Sequence, residues 1–214
     1  MSYQIEFFNP QVKFSIEAWP IGIAASFVRI TQQMLITGPH LGMPYTRALG
    51  NGLFEIRAKG REGIGRAFYC AQIGQRIIIL HGFIKKSKAT PNNELKIARK
   101  NSKRFAMTKS TQYKPVAFNP NSYASKRRKT DAQFAVAYDE LEDEFAALSA
   151  LLAARTSAGL TQAEVAARMG VSQPVVARIE SSLGKKVHSP SFSTLRRYAN
   201  ACGMKLVLQM VSSK

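Results

Sequence analysis

Residues 160–180, LTQAEVAARMGVSQPVVARIE, decide the reading of this chain. Thr161 and Glu164 stand at capping-box spacing, where hydroxyl and carboxylate satisfy the free N–H groups that open a helix. Val165 and Met169 follow one turn apart, with Ala166 small enough for a second helix to approach. Gly170 supplies the positive φ of a sharp turn after a helix. Ser172 can cap the next helix, Pro174 is tolerated in its first turn, and Val176 and Ile179 restore an apolar stripe. Two short helices locked across a tight turn are what a reader of the DNA major groove requires. An ordinary helical hairpin would explain the apolar spacing. It would not explain Thr-Gln, Ala, Gly and Ser-Gln at these offsets together.

Bulk properties point the same way. The 214 residues allow one large domain or two small ones. A net charge of +18 calls for a polyanionic partner, because Lys and Arg clusters gain affinity by releasing counterions from phosphates. A membrane surface is the competing polyanion, but the longest apolar runs, Arg76–Ile84 and Ile21–Val28, are far too short to span a bilayer. The start, MSYQIEFFNP, lacks the charged-then-apolar pattern of a secretory signal, so a cytoplasmic protein is expected. Cys70 and Cys202 are far apart and fit reduced, structural thiols. His40, His81 and His188 are scattered, so neither a zinc site nor a cofactor is expected.

The two halves differ in pattern. The first has the signals of a small α+β domain, with a strand over Ile5–Phe8 and helical spacing over Ser26–Ile36. Three strands follow, Gly52–Ala58, Ile64–Ile73 and Arg76–Ile84, joined by hairpin-like Lys59–Gly63 and Gly74-Gln75. Thr90-Pro91 reads as N-cap and first position of a helix running to Arg104. These elements imply an antiparallel sheet with helices packed on one side. Residues 106–125 lose all periodicity and read as a linker, or as an extended segment lying on a partner surface. Beyond them the chain is helical until a strand over Lys205–Val211.

Basic side chains of the first half concentrate on its strands and final loop: Arg57, Lys59, Arg61, Arg66, Lys85, Lys86 and Lys88. Phe68, Tyr69 and Phe83 lie among them, and flat rings with cations suit RNA or single-stranded nucleic acid. There is no carboxylate cluster for a hard cation and no Gly-rich phosphate loop, so if this half cleaves RNA the route open to it is metal-free. The ribose 2′-OH attacks its own phosphate while a proton acceptor, a proton donor and cations serve the transition state. Histidine is the residue type suited to proton transfer near neutrality, which singles out His81, and Arg57 and Arg66 have forked donors for developing charge. A plainer reading stands beside this one. The arginines can be solvated charges on an exposed face, His81 can be a hydrogen-bonded core histidine, and Tyr69 alternates away from Arg66 unless a bulge intervenes.

Three blocks carry a resemblance: TGPHLGMPYTRALGNG, GLFEIRAKGREGIGRAFYC and IILHGFIKKSKATPNNELKIARK. Together they resemble the HigB-like, phage-derived Gp49 toxins of the RelE/ParE superfamily over residues 1–105. That resemblance implies a ribosome-dependent endoribonuclease that cuts mRNA and arrests translation. It assigns Arg57 and Arg66 to the scissile phosphate, His81 or Lys85 to proton transfer, Tyr69 to base stacking and Lys86 to the RNA backbone. The second half resembles the HigA-type antitoxins with an XRE-family helix-turn-helix; FNPNSYASKRRKTDAQFAVAYDELEDEFAALSALLAARTSAGLTQ looks like their amino-terminal helices, and Met107 sits where such a protein starts. By the motif's positions Gln173 opens the recognition helix and can pair with adenine, and Arg178 can reach guanine or phosphate. Gln162 and Ser172 fit phosphate contacts, and Lys185 and Lys186 a backbone clamp or a merely solvated loop.

The expectation is therefore a toxin–antitoxin fusion, natural or engineered near Met107. Residues 1–105 form an mRNA-cleaving domain, nearly inactive in the intact chain, and 126–214 form its inhibitor and a dimeric operator-binding repressor. The acidic stretch Asp139–Glu144 either neutralises the toxin's basic surface or simply favours a helix start through the dipole. Two alternatives are a transcription regulator with a non-catalytic RelE-like domain and a ParE-like gyrase poison.

Overall fold

A computed structural model describes residues 3–72, 75–85, 92–106, 114–181 and 190–208. The chain divides into two compact units, Met1–Glu142 and Asp143–Lys214.

The first unit opens with β1 (Gln4–Phe7) and α1 (Pro10–Glu17). The Asn9 side chain accepts a hydrogen bond from the Val12 N–H at 2.9 Å, and Pro10 stands where a missing N–H costs nothing. In α2 (Ile21–Thr37), Ile23, Phe27, Ile30 and Met34 form a buried stripe at i, i+4, i+7 and i+11. Each such side chain contributes roughly 1.5–3 kcal/mol by leaving water. Then come β2 (Thr46–Ala48), β3 (Leu53–Gly60), β4 (Gly63–Gln72), β5 (Arg76–Lys85) and α3 (Asn92–Ala106). The unit continues through β6 (Val116–Phe118), α4 (Pro120–Thr130) and α5 (Ala132–Asp139).

The described strands form one sheet in the order β2-β3-β4-β5-β1-β6. The β3–β4–β5 meander is antiparallel, β1 joins β5 in parallel, and β6 closes antiparallel on β1. One sheet face lies on α1 and α2. A Cβ at Gly82 would meet the Ile16 side chain at 2.5 Å, so this glycine lets α1 rest directly on the sheet. The other face takes α3, which packs on β5 and β4. Helices thus cover both faces rather than the one side expected. The spacing of Ala98 and Asn101 shows why, since these are the residues of α3 that bury themselves.

The stretch 106–125 departs from its expected role as a linker. In its described part it forms β6 and the first half of α4, because Phe118 finds a pocket beside Phe7 and Phe27. Asn119 then caps α4, accepting from the Asn121 and Ser122 N–H groups. Both α4 and α5 pack on α2, so residues expected to open the second domain complete the first unit instead.

The second unit holds α7 (Gln162–Met169), α8 (Gln173–Ser181), α9 (Phe192–Ala201) and, apart from its first residue, α6 (Glu142–Ser157). Leu151, Val165, Ala166, Met169, Val176, Ile179 and Tyr198 make its core. The capping box is present: Thr161 Oγ1 accepts from the Glu164 N–H and Glu164 accepts from the Thr161 N–H at 2.7 Å. Gly170 takes φ 65°, the left-handed conformation of the turn. No strand forms over Lys205–Leu208, since no described strand lies beside it to take its backbone hydrogen bonds. Gln209–Val211 fall outside the described residues. Cys70 and Cys202 are buried thiols in no disulfide. Among the described residues no helix is long and apolar enough to cross a membrane.

Candidate nucleic-acid interfaces

Register builds the first surface. Arg57 of β3 stands opposite Arg66 of β4, which stands opposite Phe83 of β5. The rows on either side are Lys59, Ile64 and Lys85, and Glu55, Phe68 and His81, with Arg47 of β2 beside Glu55. Residues directly opposite share a face. Arg57, Arg66, His81 and Lys85 therefore lie on one side of the sheet.

Their surroundings differ. Arg66 is buried at 7% exposure and its Nη1 donates to Glu55 Oε1 at 2.6 Å, so this guanidinium is neutralised within the sheet. Arg57 is half-buried; its Nη1 lies 3.4 Å from Met43 Sδ, and its Nε finds no acceptor among the described residues. Lys85, at the strand end, is held below the ordinary lysine range by partial burial, then by the Arg66 and Arg57 charges, with Glu55 opposing. His81 Nε2 lies 2.5 Å from Glu94 Oε2 on α3, and its ring stacks beside Phe83.

Tyr69 is corrected. It pairs with Phe54 and points to the opposite face, fully buried, where its hydroxyl donates to the Pro39 carbonyl at 2.5 Å. Burial pushes its phenol far above the ordinary range. It cannot stack on a base. A bulge does occur at this level, but the extra residue is Leu80 of β5, so His81 changes parity and Tyr69 does not. Lys86 lies outside the described residues. Sequence reasoning missed Arg47 and Glu94. Nothing in their local pattern marks either one; Glu94 matters only because α3 lands on β5.

Three carboxylates of the acidic stretch pair away from this surface. Glu140 takes Arg61 at the β3–β4 turn at 2.8 Å, Glu142 takes Arg29 of α2, and Asp139 takes Arg128 of α4. For Asp139, Glu140 and Glu142 neutralisation of the cationic face is thereby corrected: these carboxylates find arginines on the helix side and at the hairpin tip instead.

The second surface is the opening of α8. Ser172, Gln173, Pro174 and Arg178 are exposed there. Gln173 Nε2 donates to Gln162 Oε1 at 2.8 Å, and Gln162 Nε2 donates to Glu180 Oε2 at 2.7 Å. Glu180, 2% exposed, also accepts from Arg155 Nε at 2.8 Å and from the Tyr198 hydroxyl at 2.6 Å. Burial pushes the Tyr198 phenol up, and the Glu180 charge adds to it. For Arg155 burial acts downward, but Glu180 outweighs it and the guanidinium is held above its ordinary range. Gln162 is thus half-buried and engaged on both sides, rather than free as a phosphate contact. Lys185 and Lys186 lie outside the described residues.

These two surfaces coincide with two matches to known families. Residues 15–103 match the family described as phage derived protein Gp49-like, and residues 151–208 match a helix-turn-helix family. The chain therefore joins a Gp49-like domain to a helix-turn-helix of DNA-binding type. It is also similar to Antitoxin HigA1 of Mycobacterium tuberculosis, strains CDC 1551 / Oshkosh and H37Rv. Identity is 35% over 94 residues, 44% of this chain and 60% of each relative. The chain thus spans about 60% of the length of the curated relatives it matches.

Proposed function

We propose that this chain is a toxin–antitoxin fusion whose first unit cuts mRNA on the ribosome and whose second unit binds operator DNA as a dimer. The observation that carries the ribonuclease reading is the gathering of Arg57, Arg66, Lys85 and His81 on one sheet face. In this reading Arg57 contacts the scissile phosphate. Arg66, locked to Glu55, sets the field beneath it rather than gripping RNA. The 2′-OH gives its proton to His81 as its oxygen bonds to phosphorus. The P–O5′ bond breaks, and the leaving oxygen takes a proton from Lys85, whose ammonium releases it more readily than an ordinary lysine. The products are a 2′,3′-cyclic phosphate and a 5′-hydroxyl. Operator reading rests on exposed Gln173 at the start of α8, two copies meeting half-sites about 34 Å apart.

The helices α4 and α5, which resemble the antitoxin's amino-terminal part, lie on α2, across the sheet from the cationic face. They restrain the nuclease without covering that face, so the full chain cleaves slowly rather than not at all. The test is induction of the full chain and of residues 1–142 in growing cells, with 5′ ends of transcripts mapped. Growth arrest and new 5′ ends are expected for both and lost in Arg57→Ala; harmless expression of both overturns the reading. Arg66→Ala is a poor probe, because it strands buried Glu55. That same internal pairing favours the second reading, a transcription regulator with a non-catalytic domain, which requires operator binding with intact transcripts.

A further inference from the structure

We propose that Glu94 is the positioning residue for His81: its carboxylate fixes which imidazole nitrogen exchanges a proton with RNA. This rests on the ribonuclease reading above. The Glu94 Oε2 to His81 Nε2 contact is 2.5 Å, with the two side chains 28% and 19% exposed. Among the described residues Glu94 makes no ion pair with Lys or Arg. The sheet's carboxylates on this face are engaged elsewhere, Glu55 by Arg66 and Glu6 by Arg76.

The helix that presents Glu94 is held for this purpose. The buried residues of α3 are Ala98 and Asn101, little apolar surface for fifteen residues. Glu94, Ala98 and Asn101 follow at i, i+4 and i+7 and share one stripe. Asn101 Nδ2 donates to the carbonyl of Leu80 at 2.9 Å, and Leu80 is the extra residue of the β5 bulge immediately before His81. Thus α3 grips β5 at two polar points, the bulge carbonyl and the next residue's imidazole. The Phe83 ring lies beside the imidazole, at 6.1 Å between centroids and 19° between planes.

A carboxylate at Nε2 holds the proton of the neutral imidazole there and leaves the lone pair on Nδ1. Nδ1 then receives the 2′-OH proton, and Glu94 balances the imidazolium while the 2′-O–P bond forms and P–O5′ breaks. Water resets His81 and Lys85 afterwards. Glu94 touches no reacting atom. It acts through His81.

The test uses the full chain with 15N-labelled histidine, the His81 signal being assigned by its loss in His81→Gln. Imidazole nitrogen shifts and cleavage of ribosome-bound mRNA are measured for wild type, Glu94→Ala and Glu94→Gln. Wild type is expected to show the Nε2–H form. Glu94→Ala loses that signature, with kcat falling roughly ten- to a hundredfold and KM unchanged. Glu94→Gln, which keeps an acceptor without the charge, retains the signature and loses part of kcat. An unchanged signature in Glu94→Ala, or a lost signature with full kcat, overturns the proposal and leaves the ribonuclease reading standing. A wild-type chain that cleaves nothing at any pH overturns both.

Discussion

At the scale of single residues, Glu180 shows how a buried charge reaches an exposed surface. Its carboxylate binds Arg155, Tyr198 and Gln162, and Gln162 in turn accepts from Gln173. The Gln173 amide is therefore held in place by the protein's own side chains. Replacing Gln173 with Ala should relax discrimination at one base pair by about 1–3 kcal/mol, read by titrating single-base operator variants. Unchanged base preference would place recognition elsewhere on the unit. Gln173 was legible because the motif's spacing alone puts it at a helix start. The Glu180 cluster was not, since its members come from α6, α7, α8 and α9 and share no local period. The same limit hid the fate of Arg66. Its row-mate Arg57 follows from the hairpin, but its burial against Glu55 depends on the neighbouring strand and on the face it lies in.

At the scale of elements, the start of α7 is held by its capping box. The Thr161 N–H and hydroxyl hold the Glu164 carboxyl below its ordinary range, the backbone bond acting most. A group depressed on folding adds stability above its unfolded pKa and loses it as pH falls through the folded one. Acid should therefore weaken operator binding through the carboxylate range by loosening α7. In Glu164→Gln that acid-dependent part should vanish, checked by binding at successive pH values; an unaltered acid limb would exclude the cap. Replacing Thr161 with Ala should cost about 1 kcal/mol of stability in thermal unfolding. Helix starts and hairpin turns were readable because their signals lie within four residues of one another. The segment 116–130 was not: its strand exists only because β1 offers an open edge, and its Pro and Asn residues read as punctuation rather than as a cap.

At the scale of the molecule, the first unit is closed by a clasp around Arg29. Its guanidinium lies 3.6 Å over the Tyr138 ring, donates to the Tyr138 carbonyl at 3.0 Å, and pairs with Glu142. Gln32 accepts from the Tyr138 hydroxyl at 2.7 Å. Arg29→Ala should destabilise this unit by about 1–3 kcal/mol, because a largely buried cation–π and charge-assisted contact is lost. Trp19, the single tryptophan of the chain, is buried in the same unit and reports the change in denaturant unfolding. A midpoint shared with wild type would show that α5 is held by its apolar contacts instead.

Composition and local spacing were enough to read an α+β half followed by a helix-turn-helix, the meander of three strands, and a charge of +18 that suits a polyanionic partner. Those properties rest on charge and on periods of two and 3.6 residues, which short stretches carry within themselves. Which face each side chain meets, and where one compact unit ends, were settled by packing. The bulge at Leu80 aims His81 at Glu94, burial withdraws Tyr69 and Arg66, and Phe118 draws residues beyond 105 back onto the sheet. Each depends on which distant surfaces exclude water together, and no stretch of neighbouring residues records that.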